Sequence, residues 1–147
     1  MNERQDEPEV STYARDVSPV DTYVALQTEA HAVLVDVRTQ AEWSYVGLPD
    51  LSGIGKRAIF LEWQRFPDGR LNEGFLEQLR EAGVSEGVPL YFLCRSGARS
   101  ASAAAAATAA GLGPAYNVSD GFEGPLDEDG HRTVNGWKAA GLPWRQG

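Results

Sequence analysis

The sequence predicts an α/β fold, a mostly parallel central sheet flanked by helices on both faces, from three observations. The apolar runs "AVLVDV" (32–37) and "PLYFLC" (89–94) are short and continuous rather than alternating, as strands buried on both faces are. Segments with helical spacing and cap residues separate the strand candidates, the pattern of a parallel sheet. Both runs carry a chemically loaded residue at or next to their end, Asp36 and Cys94, and in such sheets ligands sit at the carboxyl ends of strands.

The elements follow in order. "YARDV" (13–17) reads as a short strand. A helix follows in "SPVDTYVALQTEA", where Ser18 can cap, Pro19 suits the first helical position and Asp21 sits near the capping-box position. "TQAEWSYVG" is expected to be a short helix running into a loop, and "RAIFLEW" (57–63) a further strand. "NEGFLEQLREAG" (72–83) places Phe75, Leu76 and Leu79 on one helical face, with Gly83 to close it. "SASAAAAATAAG" (100–111) is a helix of the best helix former, ended by Gly111, and its small side chains permit close approach to the sheet. "AYNV" (115–118) is a short strand. A Gly-, Asp- and Pro-rich loop leads to "GWKAAGLPW", expected as one helical turn docking Trp137 and Trp144.

At 147 residues the chain is expected to form one domain (11–147) behind a charged, solvated tail (1–10) with no apolar core of a secretory signal. Hydrophobic residues make up 42% and charged residues 23%, a globular balance, and no apolar run is long enough to span a bilayer. A net charge of −8 argues against nucleic-acid and acidic-membrane partners, both of which need basic surface. One cysteine forms no internal disulfide, and Cys94, His31 and His131 are too few for a structural zinc site. The expectation is a cytoplasmic protein with neither metal nor organic cofactor.

The chemistry concentrates in Cys94-Arg95-Ser96-Gly97-Ala98-Arg99-Ser100. A strand that stops at Cys94 and a helix that starts near Ser100 force the residues between to curl, which Gly97 and Ala98 permit. Such a curl turns backbone N–H groups inward and makes an anion-binding concavity, to which the helix N-terminus adds. Arg95 and Arg99 add full charge with donors that suit oxyanions. A cysteine in that cradle favours its thiolate, the nucleophilic form. Buried cysteines are more often inert, but inert core positions are rarely flanked by arginines.

The loop resembles the active-site loop of the rhodanese family, Cys-Arg-x-Gly-x-Arg-Ser, at Cys94, Arg95, Gly97, Arg99 and Ser100. "VLVDVRTQAEW" is similar to the family's Asp-Val-Arg strand end and acidic helix start, at Asp36, Arg38 and Glu42. "NVSDGFEGPLDEDG" and "NGWKAAGLPW" resemble the C-terminal part of single-domain bacterial members, so the resemblance spans roughly residues 11–145. "VGLPD" stands where many members carry Gly-His-Ile-Pro. The resemblance implies a sulfurtransferase working through a Cys94 persulfide, with a small anionic sulfur donor such as thiosulfate and cyanide, a thiol or a protein as acceptor. It implies that N–H groups of residues 95–99 hold the outer sulfur and that Arg95 and Arg99 steer the donor, Arg99 also bracing the loop. Asp36 and Arg38 are supporting residues: Asp36 would anchor the loop's base, or the two form a structural ion pair.

Two other readings share these residues. Phosphatase or arsenate-reductase chemistry uses a similar loop, usually with five residues between cysteine and arginine where residues 95–98 give four. A non-catalytic binding module usually lacks the cysteine. Trp63 and Phe66 are candidates to wall the site's mouth, and His131 a candidate to approach it.

Overall fold

The structure, a computed structural model, describes residues 12–65, 67–132 and 135–146. The expected tail at 1–10 lies outside the described residues. Five strands form the main sheet: β1 (Arg15–Val17), β2 (Val33–Asp36), β4 (Ile59–Phe60), β5 (Glu86–Leu93) and β6 (Gly113–Val118), in the order β1-β6-β5-β2-β4. Every pairing among them is parallel. A two-stranded antiparallel sheet joins β3 (Leu48–Pro49) to β7 (Trp144–Arg145). Among the described residues the helices are α1 (Pro19–Thr28), α2 (Gln40–Tyr45), α3 (Phe75–Glu81) and α4 (Ala98–Ala109), with a 3-10 turn at Ser52–Ile54. None is long and apolar enough to cross a membrane.

The two faces of the sheet carry separate cores, because side chains alternate along each strand. On one face Leu90, Phe92 and Cys94 meet Val35, Phe75 and Leu79 of α3, and Ala103, Ala104 and Ala107 of α4. On the other, Tyr91 and Leu93 meet Leu26 of α1, Leu34, Val118, Phe122 and Trp137. Ser18 caps α1 as the sequence suggests, its Oγ accepting the Asp21 N–H, and at the start of α2 Thr39 forms a full capping box with Glu42.

Several boundaries differ from expectation. The strand β4 covers only Ile59–Phe60; beyond it the chain stays alongside β2, with the Leu61 N–H on the Asp36 carbonyl and the Trp63 N–H on the Val37 carbonyl. The helix α3 begins at Phe75 rather than 72, since Asn72 folds over its start and accepts the Gly74 N–H. The helix α4 begins at Ala98, two residues early, directly after Gly97 at φ +117°, so the cysteine loop is shorter than expected. The C-terminal segment is a turn over 137–141 followed by β7, not one docked helical turn. Trp137 is fully buried and donates Nε1–H to the Pro143 carbonyl at 2.7 Å. Trp144 stays 40% exposed, with the Lys138 ammonium 3.9 Å from its ring centroid.

Candidate functional site

Cys94 directly follows β5, between the ends of β2 and β6. Its side chain is buried, and the loop wraps the sulfur. The Gly97 N–H donates to Sγ at 3.1 Å and the Ser100 N–H at 3.3 Å, while Ser100 Oγ lies 3.2 Å away. Both amides belong to the first turn of the 12-residue helix α4 or its cap, where N–H groups have no partner inside the helix. The sulfur therefore sits at the positive end of α4. The amides on Sγ itself are thus those of Gly97 and of Ser100, a residue beyond the 95–99 range expected to hold the outer sulfur.

The loop is clamped from behind. The Cys94 carbonyl accepts the Phe122 N–H at 2.8 Å, and the Arg95 carbonyl accepts Glu123 and Gly124 N–H groups at 3.0 and 3.1 Å. Gly121, at φ +66°, makes this approach feasible: a Cβ there would stand 2.5 Å from the Arg95 carbonyl carbon and oxygen. The 119–124 turn had no role legible in the sequence. Its visible signal was the Gly-rich "SDGFEG" directly after a strand.

Arg99 braces the loop. Its two terminal nitrogens each hold one oxygen of Glu42 at 2.8 Å, a bidentate pair joining α4 to α2. Burial alone would push Glu42 upward, but Arg99 and the Thr39 N–H outweigh it and hold the carboxyl down at about 2. Glu42 likewise holds the Arg99 guanidinium above its usual range, with Cys94 and Asp36 adding to the effect. Arg95 is exposed, and among the described residues it has no ion-pair partner. A cleft of about 670 Å³ borders both arginines and is lined also by Glu42, Tyr45, Val46 and Arg65.

Asp36 and Arg38 form a fully buried ion pair at 2.7 Å. Arg38 also donates to the Gly47 carbonyl and lies 4.2 Å over the centre of the Phe122 ring. Asp36 bonds Arg38 and not the cysteine loop, so any support it lends passes through Arg38 and Phe122. Of the remaining candidates, Trp63 turns into the core edge-on to Phe75 rather than walling the cleft. Phe66 lies outside the described residues. His131 is exposed on the 127–131 turn, away from the residues that line the cleft. Among the described residues there is no cluster of three or more His, Cys, Asp or Glu that could hold a metal ion.

A parallel sheet that delivers one cysteine into an amide-lined loop at a helix start defines a rhodanese-like domain. The solved polysulfide-sulfur transferase homodimer of Wolinella succinogenes shares this fold at 23% identity and TM-score 0.60, over 92% of this chain and 80% of that one. The chain matches the family described as the STR4 middle domain over residues 15–147, and it belongs to that family. The crystal structure of Rv0390 from M. tuberculosis is 52% identical with TM-score 0.84, covering 92% of this chain and 100% of that one. An uncharacterized protein of Rickettsia conorii is 38% identical over 131 residues, 89% of this chain and 97% of its own. The chloroplastic rhodanese-like domain-containing protein 4 of Arabidopsis thaliana is 31% identical over 86% of this chain, which spans 25% of the plant protein.

Proposed function

We propose that this protein is a sulfurtransferase that carries sulfane sulfur as a Cys94 persulfide. The observation that carries the reading is the Sγ atom held by the Gly97 and Ser100 N–H groups at the start of α4. Fixed dipoles of this kind stabilise negative charge on sulfur, in the thiolate and again in the persulfide.

In the first half-reaction the Cys94 thiolate attacks the outer sulfur of thiosulfate or a similar donor. A bond forms from Sγ to that sulfur, the donor's sulfur–sulfur bond breaks, and sulfite leaves with the bonding electrons. In the second, a cyanide, thiolate or acceptor-protein nucleophile attacks the outer sulfur and the Cys94 thiolate departs. Arg95, exposed beside the cleft, steers the anionic donor, while Arg99 is occupied by Glu42 and keeps the loop in shape. No metal or organic cofactor takes part in this sequence.

Thiocyanate formation from thiosulfate and cyanide tests the reading. Cys94→Ser abolishes turnover, and Arg95→Ala raises the donor KM while leaving kcat within a few-fold. Unchanged turnover in Cys94→Ser refutes the proposal.

A further inference from the structure

A chain of hydrogen bonds runs from the protein surface to the cysteine. Exposed Asp16 accepts the Tyr13 hydroxyl at 2.7 Å and the Asn117 Nδ2–H at 3.0 Å, both on Oδ1. The carboxylate can only accept, so it fixes the Asn117 amide with its nitrogen outward and its oxygen inward. Asn117 Oδ1 then lies 2.5 Å from Ser100 Oγ, and it too can only accept. Ser100 Oγ has two carbonyl acceptors in reach, Asn117 Oδ1 and the Gly97 carbonyl at 3.2 Å, and its one proton goes to the much closer Asn117. Yet the same Oγ is 3.2 Å from Cys94 Sγ, so it turns a lone pair toward the sulfur.

We infer that Asp16 and Asn117 are positioning residues that hold the Ser100 proton away from Cys94, so that Ser100 acts as a two-way rotor. With Cys94 as the thiol, the S–H donates to Ser100 Oγ and Ser100 donates to Asn117. When the thiol proton leaves to solvent, the Ser100 O–H swings to donate to the thiolate and gives up its bond to Asn117. Asn117 therefore competes with the thiolate for one proton, and it restrains the reactivity of the cysteine at rest. The inference builds on the reading of Cys94 as the reactive thiol.

The consequence runs against the usual result of mutating a buried polar residue. Asn117→Leu removes the nearer of the two competing acceptors at nearly constant volume, leaving the Gly97 carbonyl at 3.2 Å, and makes Cys94 more reactive at low pH. Asp16→Asn, at an exposed position, frees the Asn117 amide to turn and acts in the same direction. The gain is about fivefold, the equilibrium equivalent of one neutral hydrogen bond.

The test is the pH profile of Cys94 alkylation by iodoacetamide, read by intact mass, for wild type, Asn117→Leu and Asp16→Asn, each also in a Ser100→Ala background. The other charged groups around the cysteine are Asp36 at the end of β2, Arg38 just after it, Glu42 on α2, Arg95 of the loop, Arg99 at the start of α4, and Asp120 and Glu123 on the adjoining turn. They are the same in every variant. The expected result is a profile displaced to lower pH, about fivefold faster below its midpoint, with an unchanged plateau at high pH. In the Ser100→Ala background the displacement vanishes. A displacement that persists without Ser100 would mark a simple charge or packing effect and overturn the inference, as would unaltered or slowed alkylation below the midpoint. Should Asn117→Leu not fold, the exposed Asp16→Asn pair decides the question alone. The readout does not depend on sulfur transfer, so failure of wild type to take up sulfur from thiosulfate would refute the sulfurtransferase reading and leave this test standing.

Discussion

Glu42→Gln removes one charge from the Glu42–Arg99 pair while keeping a side chain that can still close the capping box with Thr39. In the folded protein the Glu42 carboxyl is held down at about 2 from an ordinary 4.5. Each pH unit of such a shift is worth about 1.4 kcal/mol, which gives a ceiling of about 3 kcal/mol for the ionised form. The two side chains remain 18% and 23% exposed, and solvent screening reduces the expected contribution to about 2 kcal/mol. The sign follows from the depressed value. The stabilisation is fully present above pH 4.5 and is lost as pH falls toward 2. Urea unfolding of wild type and Glu42→Gln at pH 7, 5, 4 and 3 reads this directly. The stability gap is expected to be about 2 kcal/mol at pH 7 and 5 and to narrow steadily at pH 4 and 3. A gap that stays constant with pH would assign the loss to packing or capping and refute the ion-pair account.

Three further outcomes follow from the geometry. Gly121→Ala drives a Cβ into the Arg95 carbonyl at a left-handed φ, and is expected to cost about 2 kcal/mol or more in urea unfolding and to slow sulfur uptake. Arg38→Met strands the fully buried Asp36 carboxylate and is expected to cost about 3–5 kcal/mol, while Asp36→Leu with Arg38→Met recovers much of that loss. Leu79→Ala opens a cavity where α3 meets the sheet, costing about 2–5 kcal/mol with the alkylation profile of Cys94 unchanged.

The fold was legible where the signal is local. Continuous apolar runs marked β2 and β5, Ser18 opened α1, and Gly83 and Gly111 follow helix ends at positive φ. Two-residue strands such as β3 and β7 carry no periodicity, and Pro49 speaks against a ladder, so the small sheet was invisible. The cysteine loop could be read because strand end, glycine, arginines and helix start are contiguous. Its supports could not. Glu42 and Arg99 are 57 positions apart, and Asp16 and Asn117 are 101 apart. Only the family resemblance drew notice to Glu42, and nothing singled out Asn117. Arg99 could be named from the sequence, but its engagement with Glu42, which leaves Arg95 as the loop arginine without an ion-pair partner among the described residues, depends on tertiary packing.

The central claim is that Cys94 carries sulfur, and intact mass after brief exposure to thiosulfate without reductant tests it most directly. With a single cysteine in the chain, any sulfur gained has one thiol to occupy. The account predicts a gain of one sulfur atom, reversed by cyanide and absent in Cys94→Ser. No gain from thiosulfate or 3-mercaptopyruvate, or an equal gain in Cys94→Ser, would contradict it.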